Sequence, residues 1–239
     1  MINVQMIPIL QDNYTYLIRT ENGLTAIVDP GEAQPVIDVL EAQGLTLDYI
    51  LNTHHHWDHT DGNAELKNKY DAKLVAPEKE AWAIKNIDIG LHDGDQFAFG
   101  DNTATIIETA GHTAGGICFY FEQSSIVFTG DTLFSLGCGR LFEGTAQDMF
   151  NSFKKLRALP DDTKVYCGHE YTRANAGFCL SQDRSNDSLK SRIAEIKDLR
   201  ANNQPTLPTT IGLEKETNIF MQAKSAEEFA ALREKKDSF

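Results

Sequence analysis

LDYILNT (47–53) runs directly into T-H-H-H-W-D-H (53–59), and the reading of the rest of the chain depends on this stretch. Its first half is a short apolar run of the kind that forms a buried strand. In extended chain alternate side chains share a face, so His54 and His56 are expected to point together while His55 points away. Asp58 and His59 follow where the chain turns toward a helix predicted over 61–70. This arrangement offers two imidazoles to one metal and a carboxylate–imidazole pair to a neighbouring one, a donor set that suits zinc or iron. A lone histidine is more often structural than ligating. Four ligand-type residues within the six positions 54–59, at the end of a strand, favour a metal site.

Three further segments repeat the pattern of strand, glycine and metal-capable side chain. His112 lies in T-A-G-H-T after a predicted strand at 103–109. Asp131 lies in F-T-G-D-T after 125–129, and His169 in C-G-H-E after KVYC (164–167). Glycine permits a tight turn or close backbone approach before each ligand, and ligand sites in layered α/β folds gather beyond strand ends. Singly each is a weak signal. Together they place five of the chain's seven histidines in one pattern, leaving His55 and His92 as structural or exposed. Seven donors are too many for one zinc and suit two. Asp131 is the natural bridge, since a carboxylate can hold two cations about 3.5–4 Å apart.

The flanking sequence sets the frame. Residues 1–30 alternate apolar and polar positions with turn signals at Asp12-Asn13 and Asp29-Pro30-Gly31, a predicted β-meander. A helix is predicted over 32–43, stopping at Gly44, with further strands at 73–77 and 117–121. T-A-Q-D from Thr145 reads as a capping box opening a helix with Met149, Phe150, Phe153, Leu156 and Leu159 on one face, halted by Pro160. Beyond about residue 170 the texture turns helical, at 171–181, at 187–202 and from Ser225. The expected organisation is a mixed α/β domain over 1–166 followed by a small helical domain over 167–239.

Composition bounds the function. Apolar residues make up 41% and charged residues 24% of the 239 positions, near globular averages. No apolar run reaches the roughly 18–20 residues of a membrane helix, and the N-terminal stretch lacks the features of a secretory signal. Four cysteines without a C-x-x-C pair read as reduced thiols of a cytoplasmic protein. The net charge of −13 argues against a nucleic-acid partner and makes any local basic cluster informative. Arg233 and Lys236, three apart on the predicted last helix, share a face. With Arg140 they could receive an anionic ligand, or R-E-K-K could simply complement the helix dipole in solvent.

H-x-H-x-D-H at 54–59 with His112, Asp131 and His169 resembles the ligand set of the metallo-β-lactamase superfamily. That resemblance covers the first domain and implies an α+β architecture, an αββα sandwich with the site along one edge. Across the whole chain the sequence is similar to the glyoxalase II (hydroxyacylglutathione hydrolase) family. D-N-Y (12–14), G-C-G-R-L-F-E-G-T (137–145), G-H-E-Y-T (168–172), L-P-x-T (207–210) and the terminal L-R-E-K-K-D-S-F carry it. It implies that His54, His56 and His112 hold one divalent metal, that Asp58, His59 and His169 hold another, and that Asp131 bridges them. Zinc is the first expectation, with iron and manganese as alternatives. It also implies glutathione contacts from Arg140, Phe142, Tyr171, Arg233 and Lys236. Phe142 departs from a tyrosine found in some members, and Asp61 from a glycine that often follows the histidine motif.

The activity so implied is hydrolysis of S-D-lactoylglutathione to glutathione and D-lactate, the second step of methylglyoxal detoxification, by a hydroxide shared between the metals. Asp58 and Asp131 would be the catalytic carboxylates. The expected partner is a small glutathione thioester, with no nucleic acid and no membrane, and the expected state is a monomer. The rivals are other enzymes of the same fold, such as a persulfide dioxygenase, a lactonase or a β-lactamase, and a metal-stabilised interaction module without catalysis.

Overall fold

Alternation over the first thirty residues folds as the expected meander. β1 (Ile2–Ile9), β2 (Asn13–Thr20) and β3 (Thr25–Val28) pair antiparallel, with Met6 opposite Tyr16 and Leu17 opposite Ile27. Helix α1 (Gln34–Gln43) has proline in its first turn and ends at Gly44, whose φ of 64° is the left-handed conformation common after a helix. The chain then adds β4 (Tyr49–Leu51), helices α2 (Trp57–Thr60) and α3 (Asn63–Tyr70), β5 (Lys73–Pro77) and β6 (Ile89–Leu91). Strands β3 to β6 run parallel, completing a six-stranded mixed sheet in the order β1-β2-β3-β4-β5-β6. Next come β7 (Gln96–Phe99), β8 (Asn102–Glu108), β9 (Ile117–Phe121) and β10 (Ile126–Gly130), each antiparallel to its neighbour.

The computed structural model describes all residues from Met1 to Phe239, in two units. The first comprises Met1–Glu108 with Gly115–Gly130, and the second Thr109–Ala114 with Asp131–Phe239. In the first unit the two-residue period of the strands sorts side chains between two faces. Leu17, Ile27, Ile50 and Leu74 join Val36, Ile37 and Leu40 of α1 and Leu66 of α3 in one buried cluster. The opposite face meets β7–β10, with the Tyr16 and Phe128 rings 5.5 Å apart and Tyr49 edge-on to Phe97 at 5.3 Å.

The second unit holds a small hairpin of β11 (Leu133–Phe134) and β12 (Gly137–Cys138), helix α4 (Ala146–Arg157), and β13 (Lys164–Cys167). Helices α5 (Thr172–Gln182) and α6 (Asp187–Ala201) follow, then β14 (Thr209–Thr210), antiparallel to β13, and α7 (Ile211–Thr217), α8 (Ile219–Gln222) and α9 (Ala226–Asp237). The capping box at Thr145 forms as expected, with the Asp148 N–H donating to the Thr145 hydroxyl and Asp148 Oδ2 accepting from the Thr145 N–H at 2.9 Å. Ser225 caps α9. Buried Glu214 of α7 accepts from the Leu136 N–H (2.8 Å), the Thr209 hydroxyl (2.7 Å) and Asn218 Nδ2 (2.9 Å). It thereby pins the turn between β11 and β12.

Two local readings shift. The strand predicted over 47–53 stops at Leu51, because the Thr53 N–H donates to the Asp29 carboxylate rather than to a neighbouring strand. The helix predicted over 61–70 begins earlier, as α2 and α3 joined by Asp61 and Gly62. Asp61 takes a helical φ of −62°, so it does not disturb the turn. No helix is long and apolar enough to cross a membrane. All four cysteines are buried thiols outside any disulfide, and burial pushes Cys138 up to about 11 and Cys167 and Cys179 up to about 12.

Candidate metal centre

In the first unit the segment after β4 presents His54, His56, Asp58 and His59. The His54 ring centroid lies 4.8 Å from that of His56 and 4.2 Å from that of His59. His55 turns away as alternation requires, its Nδ1 2.8 Å from the buried carboxylate of Glu80, which also accepts from the Gly115 N–H. His92 is exposed beside Asp95.

Behind the histidines stands Asp29, 3% exposed and at a positive φ of 52° in the D-P-G turn. It accepts from the Thr53 N–H (2.7 Å) and the Thr53 hydroxyl (2.6 Å), and His59 Nδ1 lies 3.1 Å from it. The sequence offered only a turn signal at this position. The Thr53 hydroxyl has one proton, which goes to Asp29, so its contact with His54 Nδ1 at 3.0 Å makes the imidazole the donor. The same logic holds for His59 against the acceptor-only carboxylate. It holds also for His112, whose Nδ1 lies 2.8 Å from the Arg140 carbonyl. Three imidazoles thus carry their proton on Nδ1 and offer the lone pair at Nε2, the tautomer a metal ligand needs. Asp29, His54 and His59 each place a ligand-type atom within 4.8 Å of the others. Asp29 is engaged by those hydrogen bonds, which leaves the imidazole nitrogens as donors that fit a divalent ion.

Asp58 is held from another direction. Asn13 Nδ2 donates to Asp58 Oδ2 at 2.9 Å and to its carbonyl at 3.3 Å, which accounts for the D-N-Y segment at 12–14. Gly130, at the end of β10, has φ +47°, and a Cβ there would lie 2.2 Å from Thr53 Oγ1, so the position preceding Asp131 cannot carry a side chain.

In the second unit His112 sits on the loop 109–114. Gly111 in that loop has φ +146°, and a Cβ on it would lie 2.7 Å from Met149 Cβ of α4. Asp131 Oδ2 lies 3.4 Å from His112 Nε2 and 3.2 Å from His169 Nε2, so one carboxylate oxygen faces two imidazole nitrogens. The His169 ring is stacked on Tyr171, with centroids 4.6 Å apart and planes 6° from parallel, and Tyr171 is edge-on to Phe134. Phe142 is 62% exposed, its ring 5.2 Å from that of His112. Arg140 is exposed.

The two cations of α9 differ from each other. Arg233 is buried, so a solvated helix end does not describe it. Its guanidinium donates to the Cys138 carbonyl (2.9 Å) and to Asp237 (2.8 and 3.1 Å). Lys236 is half-buried, and burial followed by the charge of Arg233 lowers its pKa.

The model of the metallo-beta-lactamase superfamily matches residues 10–169, and that of the hydroxyacylglutathione hydrolase C-terminus matches residues 170–239. A hydroxyacylglutathione hydrolase of Pelagibacter ubique is 48% identical over 237 residues, covering 99% of both chains. One of Brucella ovis is 48% identical over 243 residues, covering 95% of both. Among solved structures, ETHE1 from Myxococcus xanthus superposes with a TM-score of 0.75 at 26% identity, covering 97% of this chain and 90% of that one. TTHA1623, solved in a di-iron-bound form, superposes with a TM-score of 0.65 at 26% identity, covering 91% and 99%. The chain belongs to the metallo-beta-lactamase superfamily and, within it, to the hydroxyacylglutathione hydrolase family, and it has the α+β fold of that class with a helical C-terminal region.

Proposed function

We propose that this chain hydrolyses S-2-hydroxyacylglutathione thioesters, S-D-lactoylglutathione foremost, to glutathione and the free hydroxy acid, D-lactate, in the second step of methylglyoxal detoxification. Its relatives named hydroxyacylglutathione hydrolase at 47–48% identity over nearly the full chain support the reaction. Residues 1–166 would carry the chemistry and residues 167–239 the glutathione-binding elements. His54, His56 and His112 would hold one divalent metal and Asp58, His59 and His169 a second, with Asp131 shared. Zinc is the first choice, and iron or manganese suits the same nitrogen and oxygen donors. The observation that carries this reading is the single Asp131 oxygen lying 3.4 Å from His112 Nε2 and 3.2 Å from His169 Nε2, imidazoles assigned to different metals.

Bound there, divalent metals supply Lewis acidity, which makes water nucleophilic near neutral pH and counters charge growing on the thioester oxygen. The protein does the rest. Asp29, Thr53 and the Arg140 carbonyl hold three histidines in the ligating tautomer. Asp58, fixed at Oδ2 by Asn13, orients the attacking water. The leaving thiolate has a parent thiol pKa near 8.5, so it departs without a strong general acid. Arg140, Phe142, Tyr171, Arg233 and Lys236 receive the glutathione moiety, whose carboxylates suit the cations.

The chain would act as a monomer, since one chain supplies all seven donors, with no nucleic acid or membrane as partner. Four thiols outside any disulfide support a reducing, cytoplasmic setting. The test is metal analysis of the purified protein alongside thiol release from S-D-lactoylglutathione. Two divalent ions per chain with metal-dependent release are expected. Protein that holds two ions and cleaves no thioester would overturn the reaction, and protein that binds fewer than two would overturn the ligand assignment.

A further inference from the structure

The terminal motif L-R-E-K-K-D-S-F contains two residues that the reaction leaves unexplained, Asp237 and Phe239. Asp237 neutralises Arg233 on the same helix, one turn away. Phe239 does something different. The residue is 67% exposed, yet its ring is not loose: it meets Phe178 of α5 edge-on with centroids 5.4 Å apart. A Cβ on Gly177 would lie only 3.9 Å from its Cε1. Lys236 Nζ lies 5.3 Å from the Phe178 centroid and 5.5 Å from the Phe239 centroid, so the ammonium is shared by two aromatic faces. Both distances fall within the roughly 6 Å over which a ring quadrupole attracts a cation.

A lysine needs such help at this place. Its four-carbon stem is flexible, and fixing it for a ligand costs rotamer entropy. Arg233 and Arg140 also act on it as like charges. We infer that Phe239 is a positioning residue, closing an aromatic clamp with Phe178 that holds the Lys236 ammonium ready for the glutathione moiety. This rests on the assignment of Lys236 as a glutathione contact. An exposed phenylalanine whose substitution opens no core cavity has no other evident work in the fold.

The experiment compares Phe239→Leu, Phe239→Tyr and Lys236→Ala in the metal-loaded protein, with S-D-lactoylglutathione as the substrate. Leucine keeps apolar bulk but has no quadrupole, whereas tyrosine keeps the π-face. Phe239→Leu is expected to raise KM about two- to fivefold, the size of one cation–π contact at an exposed site, with kcat within about twofold. Phe239→Tyr should retain the parental KM. In a Lys236→Ala background Phe239→Leu should have no further effect, because the partner it positions is gone. A parental KM for Phe239→Leu, an equal loss in the tyrosine variant, or an undiminished effect without Lys236 would overturn the inference. Failure of the unaltered protein to cleave the thioester at all would instead count against the proposed reaction.

Discussion

Asp131 is where removal of a single side chain should be most informative. Its Oδ2 faces two imidazoles, so Asp131→Ala is expected to lower metal content and thiol release together, and retained metal with lost activity would contradict its bridging role. Asp29 should behave differently, because it is buried behind the histidines against Thr53 and His59. Asp29→Ala strands the buried Thr53 N–H, at a cost of about 1–3 kcal/mol, and frees the Thr53 and His59 protons it now accepts. A 10- to 100-fold weaker metal affinity, typical of losing a partner behind the ligands, should accompany that loss, measured by competition with a chelator and by urea unfolding. The seven proposed donors stand out in the sequence because they are chemically dense, each at a strand end beside a glycine or another metal-capable side chain. Asp29 and Asn13 were not. D-P-G is fully explained as a turn, and an asparagine 45 residues before Asp58 gives no local sign of the carboxylate it grips. Arg233 also misleads, since a cation near a helix end ordinarily faces water, whereas here the Cys138 carbonyl and Asp237 make its burial tolerable.

At the scale of elements, sequence reading works where one signal dominates. Thr145 and Ser225 begin their helices, and KLVAP and KVYC are strands over their full predicted lengths. It fails for β6, β11, β12 and β14, each two or three residues long and defined by what they pair with rather than by their own pattern. It also fails for α7, where no helix is predicted and where Glu214, a charged residue type that ordinarily faces water, is fully buried. Burial raises the Glu214 pKa above the ordinary 4.5, against the hydrogen bonds from Thr209, Leu136 and Asn218 that lower it. From about pH 4.5 upward, therefore, the folded chain keeps a proton that the unfolded chain has released, and stability falls as pH rises through the folded value. Glu214→Gln cannot ionise and should flatten that decline, seen as a shallower dependence of the urea midpoint on pH. An unchanged slope would mean that Glu214 is already ionised in the fold. Because Glu214 pins the turn at Leu136, the same residue links α7 to the hairpin that leads into Arg140.

For the whole molecule, the separation of core from ligands governs the response to metal removal. The buried aliphatic cluster of the first unit is built from β1–β5, α1 and α3 and contains none of the seven proposed donors. Chelation should therefore abolish thiol release and lower Tm while far-UV circular dichroism persists. The loss should approach the about 3–4 kcal/mol that a ligand present at 100 to 1,000 times its Kd contributes. An unchanged Tm after metal removal would indicate that no ion had been bound. The net charge of −13 sharpens the role proposed for the few cations Arg140, Arg233 and Lys236, against an acidic surround that repels anions elsewhere. One property of the cysteines matters in another way. A catalyst that liberates a thiol works in the presence of its own product and of that product's disulfide, which capture any accessible thiolate by exchange. Cys138, Cys167 and Cys179 ionise only near pH 11–12, and Cys118 is sealed in β9. The native chain should accumulate no mixed disulfide with glutathione during turnover, and a colorimetric thiol reagent added to the reaction should count released product alone.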